Sequence, residues 1–191
     1  MPRAIKRLPY GLRIVAAIFA TSLVGTFLFY GSSHFMKNMA EQRGDLVSAG
    51  WTRFVAPTGE FTAMFPESPT ESVEGANGVR AVTAAPSKGE GYTIMTIELP
   101  ANPQETAGAR LDRLAADFVA RSNGTLVSQT QVSVGPATGR ELRVDTPERS
   151  LRVRLFAMHD KVYQVLAIRP VGWPEDGRDG QFLKSFSFQG S

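Results

Sequence analysis

The sequence predicts an α+β protein: an antiparallel sheet covered by helices, preceded by one N-terminal transmembrane helix. Three observations carry this reading. Beyond residue 50 the apolar residues recur with a period of two in segment after segment, and the connections between those segments are short and turn-like. One stretch in that half, residues 106–122, switches to the period of an amphipathic helix. Ahead of everything lies a run of seventeen uncharged residues, 14–30, reading IVAAIFATSLVGTFLFY.

That run opens the chain's organisation. At about 1.5 Å per residue it covers most of a hydrocarbon core of about 30 Å, and Gly11, Leu12 and Gly31 extend it while Arg13 can snorkel to the headgroups. Arg3, Lys6, Arg7 and Arg13 precede it with no acidic residue, so the positive-inside rule places the N-terminus in the cytoplasm and residue 32 onward outside. A cleaved signal peptide, leaving a secreted form, fits the same basic start. The run exceeds the usual apolar length of about 7 to 15 residues, however, and Gly31 with Ser33 is a poor small-residue cleavage site, which favours retention. A buried core helix does not fit a segment apolar on every face. The expected divisions are a basic tail (1–13), a membrane anchor (14–31), a polar stalk (32–50) and an extracytoplasmic α+β domain (51–188).

Within the domain, residues 51–56 and 60–65 read as a hairpin around Pro57 and Gly59, with Phe61, Ala63 and Phe65 alternating. Pro66 and Pro69 stop the second strand, and 67–78 has the composition of an exposed loop. Residues 79–85 and 92–99 form a further strand pair. In the helix of 106–122, Leu111, Leu114, Ala115, Phe118 and Val119 share one face, with Arg110, Asp112, Arg113 and Arg121 assigned elsewhere. Asn123-Gly124 ends it as a left-handed cap. Four strands follow, at 126–134, 139–145, 151–158 and 162–168, and a short helix over 175–186 docks through Phe182, Leu183 and Phe186. All the strands are expected in a single sheet with the long helix on one face.

Composition then limits the chemistry. The chain of 191 residues contains Cys 0 and His 2, which removes disulfides, thiolate nucleophiles and histidine or cysteine metal centres. The four basic residues before the apolar run exceed the whole formal charge of +3, so the domain is near neutral and nucleic acid is not expected as a partner. His159-Asp160 reads as turn solvation, since neighbours in a tight turn point apart and no nucleophile elbow supplies a serine. Gly89-Glu90-Gly91 lacks the Lys-Ser/Thr of a phosphate loop. Asp112 and Asp117 lie on different helix faces, and Glu175, Asp176 and Asp179 offset a helix dipole. No catalytic, cofactor-binding or metal-binding residue is assigned.

The one candidate site is a row of arginines. If the turn at 146–149 sets Asp145 opposite Ser150, then Arg143 lies opposite Arg152 and Glu141 opposite Arg154, all on one face, with Leu142, Val144, Leu151, Val153 and Leu155 on the other. Facing like charges cost stability unless something negative lies between them. Glu141 or Asp145 can be that group, which is the favoured reading, and an anionic ligand or acidic partner surface can be too.

Residues 61–69 (FTAMFPESP), 139–147 (GRELRVDTP), 153–167 (VRLFAMHDKVYQVLA) and 182–188 (FLKSFSF) resemble recurring segments of small bacterial secreted or membrane-anchored domains. Those in turn resemble the PsbP-like fold of PsbP and the Ran-binding Mog proteins. The resemblance covers about residues 51–188 and implies an α/β/α sandwich. It also implies a binding or assembly role, because family members are mostly of that kind. The expected function is a membrane-anchored extracytoplasmic module that binds an unidentified protein partner without cofactor, metal or catalysis. The competing function is a hydrolase or transferase with a Ser, Thr, Asp, Glu and Arg site.

Overall fold

The structure is a computed structural model and describes residues 50–74, 79–99, 102, 104–174 and 176–189. The expected tail, anchor and most of the stalk lie outside the described residues. Among the described residues no helix is long and apolar enough to cross a membrane.

Alternation builds a seven-stranded sheet, entirely antiparallel, in the order β3-β4-β5-β9-β8-β7-β6. Its strands are β3 (Thr70–Glu74), β4 (Val79–Ala84), β5 (Gly91–Glu98), β6 (Thr125–Val134), β7 (Ala137–Asp145), β8 (Arg149–Met158) and β9 (Lys161–Pro170). The four strands after the long helix form one meander because their connections hold only two or three residues: Gly135-Pro136, then Thr146 to Glu148, then His159-Asp160. Gly135 and His159 take the positive φ such tight turns need, at 57° and 53°.

Helix α1 (Ala107–Ser122) packs on one face of this sheet. Thr106 caps its start, its Oγ1 accepting the amide of Ala109 at 3.2 Å, and Asn123 ends it in the left-handed conformation at φ 50°. Gly124 follows because a Cβ there would come within 2.5 Å of Val144 Cγ1. Leu111, Leu114, Ala115 and Phe118 are buried against Leu142, Val144, Leu151, Val153, Leu155, Val162, Leu166 and Ile168.

The opposite face carries two elements. Helix α2 (Arg178–Ser185) lies there beside a separate three-stranded sheet, β1 (Thr52–Val55), β2 (Phe61–Phe65) and β10 (Ser187–Phe188), in the order β1-β2-β10. The core here is aromatic. Phe65 and Phe182 centroids lie 5.1 Å apart, Tyr92 and Phe182 5.2 Å, and Phe156 stacks on Phe186 at 5.7 Å. Offset and edge-on ring pairs of this kind add about 0.5–1.5 kcal/mol each beyond burial.

Three expectations are corrected. The strands form two sheets: the first hairpin does not join the large sheet, because β10 pairs with β2 and turns that hairpin into a second layer. The segment 67–78 contains a strand, β3, an exposed edge whose pairing with β4 needs only backbone groups and therefore no apolar pattern. The last helix begins at Arg178, because Gly177 before it sits at φ 81° outside helical space.

Phe118 is completely buried between α1 and the sheet. Phe118→Ala is expected to cost about 3–5 kcal/mol, as aromatic core deletions do. A denaturation midpoint equal to the wild type's would mean that α1 does not pack through this face.

Candidate functional site

The turn after β7 is closed by its own side chain. Thr146 N–H donates to the Arg149 carbonyl at 2.8 Å, and Thr146 Oγ1 accepts the Arg149 amide at 2.9 Å. The turn fixes the register: Asp145 opposes Ser150, Arg143 opposes Arg152 and Glu141 opposes Arg154. Ser150 Oγ donates to Asp145 at 2.8 Å. Leu142, Val144, Leu151, Val153 and Leu155 point the other way into the α1 core. The arginine row is thus one face of one hairpin.

Glu141 lies between two of its members. Arg152 Nη2 donates to Glu141 Oε1 at 2.7 Å, and Arg154 Nε donates to Oε2 at 2.7 Å. Burial alone would push the Glu141 carboxyl upward, yet the hydrogen bonds and charges of Arg152 and Arg154 together hold it below the usual carboxylate range. Arg154 Nη1 also donates to the Leu183 carbonyl at 2.7 Å, in the last turn of α2, where a helix leaves carbonyls unpaired. Arg152 runs under the same helix, its Nη1 only 3.5 Å from where a Cβ on Gly180 would stand. The row therefore lies at the seat of α2. Arg152 keeps 31% of its side chain exposed and Arg154 14%.

The first turn of α2 is held in the same manner. Arg169 Nε lies 3.5 Å from Asp179 Oδ2, and both residues are buried. Burial pushes the Asp179 carboxyl up, against the opposing pull of Arg169 and Arg152. Glu90, buried in the β4–β5 turn, accepts from Ser87 Oγ at 2.7 Å and from the Tyr92 hydroxyl at 2.6 Å, and it pairs with Arg178 Nη2 at 3.2 Å. Burial and then the Glu90 carboxylate push the Tyr92 phenol up. Sequence pattern alone does not single out Glu90, which sits in the turn between two strands; its signal is Tyr92 two residues on, on the same side of the chain.

The remaining candidates are spread around the molecule. His159 and Asp160 are exposed in the β8–β9 turn. The His159 carbonyl, rather than its ring, is engaged, accepting from Arg110 Nη1 at 2.7 Å, and Arg110 Nη2 reaches the Leu99 carbonyl. Arg110 is therefore buried, although it lies off the apolar stripe of α1. Asp112 accepts from Arg140 at 2.8 Å, while Asp117 lies 4.0 Å from Arg113. Among the described residues, no three His, Asp or Glu side chains gather as a metal ion would require.

One open groove of about 780 Å³ wraps around the sheet end at the β8–β9 turn. Ala107, Gly108 and Leu111 of α1 wall it on one side, and Tyr163, Phe188 and Glu60 on the other. Glu60 is already paired with Lys161, and Arg140 with Asp112.

With this geometry in view, the central antiparallel sheet, one helix on its first face and a helix with a small sheet on its second define a PsbP-like α+β fold. The solution structure of CyanoP, the cyanobacterial PsbP of Synechocystis, matches at TM-score 0.58 with 14% identity, over 76% of this chain and 96% of that one. A crystal structure from Bacteroides thetaiotaomicron matches at TM-score 0.41 with 9% identity, over 74% of this chain and 50% of that one. No family model matches the chain, and no curated protein does.

Glu141→Gln tests the arginine seat. The variant is expected to lose roughly 1–3 kcal/mol at neutral pH, between the value of a screened surface pair and that of a buried one. Because the folded carboxyl sits below its unfolded value of about 4.3, its contribution is full above that pH and fades as pH falls through the folded value. Denaturant titrations should show wild type and variant converging on acidification. A gap that stays constant into strong acid would contradict the pairing.

Proposed function

We propose that this protein is a non-catalytic binding or assembly module. Residues 14–31 hold it at the outer face of the cytoplasmic membrane, N-terminus inside, and it meets an acidic protein surface at the end of the arginine row that α2 leaves exposed, at Arg152. The observation that carries this reading is the part of the row that α2 leaves uncovered: Arg152 keeps 31% of its side chain exposed beside Glu141, whereas Arg154 keeps 14%. A cationic side chain at such a rim draws an oppositely charged partner and sets how fast it arrives. Arg154 serves mainly to seat α2, and Arg143 extends the row.

Two features support the membrane placement. The apolar run and its basic flank are those of an anchor. The described fold also begins at Trp51, whose ring lies 6.3 Å from Tyr92. Tyr92 opposes Ala167 at the end of the sheet where β9 runs out, and just beyond that point Val171 and Trp173 are exposed. An exposed tryptophan at the end of the sheet where the domain joins the stalk suits the headgroup region.

The test is a pull-down with the tagged full chain in detergent. Arg152→Gln leaves Arg154 on Glu141 and is expected to lower recovery of the partner several-fold at low salt, with less difference at high salt. Its thermal unfolding should fall less than that of Glu141→Gln, because Arg154 keeps its own hydrogen bond to Glu141. Equal recovery at low ionic strength would remove the arginine row from the contact surface. A mature N-terminus near residue 34 would remove the anchor.

A further inference from the structure

The two edges of the large sheet are built differently. β3 has five residues and carries Glu71, so it is short and charged, the usual way to discourage pairing with another strand. β6 has ten residues, TLVSQTQVSV, with no charge, no proline and no lysine. Its side chains are exposed along nearly its whole length, Leu126 by 42% and Val127 by 52%, because α1 covers β7 and β8 but not β6. Among the described residues nothing pairs with its outer edge. A single bulge at Val127, between Leu126 and Ser128, interrupts an otherwise regular register, leaving Ser128 to Val134 as straight strand.

Only Val132 and Val134, near its end, pack partly against the aromatic core; the rest of this long strand has its side chains in water and an unpaired row of amides and carbonyls along its outer edge. The geometry points to a strand-pairing interface, and its occupant is β6 of a second copy of this chain, antiparallel, about a two-fold axis close to Gln131. Charge selects this partner. An uncharged strand meets its own copy without like charges in register, whereas a head-to-tail contact between β6 and β3 would bring Glu71 against a strand with no cation to meet it. A two-fold contact also closes after two subunits, and a β6-to-β3 contact would run on into a filament. The paired sheets form one continuous sheet of two identical halves. This inference stands independently of the membrane placement and of the arginine row.

The absence of cysteine makes the test direct. Single cysteines are introduced at each position from 129 to 133 in the detergent-solubilised full chain and oxidised, with Glu71→Cys as the control on the other edge. Residues facing each other across a two-fold axis have Cβ atoms about 4.5–5.5 Å apart, close enough to bridge after small adjustments. The expected result is a disulfide-linked dimer concentrated at one or two positions and well above the Glu71→Cys control. In parallel, Gln129→Lys with Gln131→Lys places like charges across the pair and should shift the sedimenting species from dimer to monomer without lowering the unfolding temperature. Uniform cross-linking at the control level, or the same sedimentation for wild type and the double lysine variant, would overturn the proposal. Capture of the edge by a strand of another protein would show itself in that way.

Discussion

Strand parity in the β7–β8 hairpin is the constraint on which the rest depends. Side chains alternate between faces, so the turn closed by Thr146 and Arg149 decides at once that five aliphatic residues meet α1 and that Glu141, Arg143, Arg152 and Arg154 lie on the opposite side. A slip of one residue would send the arginines into the apolar core and the leucines into the seat of α2. Facing Arg143 and Arg152 is tolerable because Glu141 lies one pair further along the same face and takes hydrogen bonds from Arg152 and Arg154.

That polar strip then positions the second layer. Arg154 fixes the end of α2 through the Leu183 carbonyl, and Arg169 fixes its beginning through Asp179. Between these points Phe182, Leu183 and, just after the helix, Phe186 reach the aromatic cluster of Phe65, Tyr92 and Phe156. Ser185 Oγ accepts the Met64 amide at 2.9 Å, and Ser187 Oγ lies 2.9 Å from Thr62 Oγ1. The small sheet is thereby tied to α2 as well as to the large sheet. Charge orients the helix, and aromatic burial holds it.

Much of this was legible in the sequence, and the limits have physical reasons. Six strands of the large sheet and the two of the first hairpin followed from alternation, and α1 with its Asn123 cap from helical spacing. The arginine face and its internal partner Glu141 followed from the turn. What alternation cannot reveal is an element that buries nothing, which is why β3 reads as a loop. Nor does it reveal a pairing that closes over more than a hundred residues, as Phe188 with Phe61 does. Arg110 falls off the apolar stripe of α1, and helical spacing does not reveal that its guanidinium is buried; it is buried because the Leu99 and His159 carbonyls lie within its reach. That α2 would cover the arginine row is a matter of helix docking, and no local pattern specifies it.

The central claim is that α2 and the three-stranded sheet form one unit seated on the arginine face. Native-state amide hydrogen exchange under increasing denaturant tests it most directly. The account predicts that the protected amides of α2 (Arg178–Ser185) and of β2 (Phe61–Phe65) merge into a single opening, at a lower free energy than the opening of β8 and β9. Exchange of α2 through its own, much easier opening, while β2 remains protected with the large sheet, would contradict it.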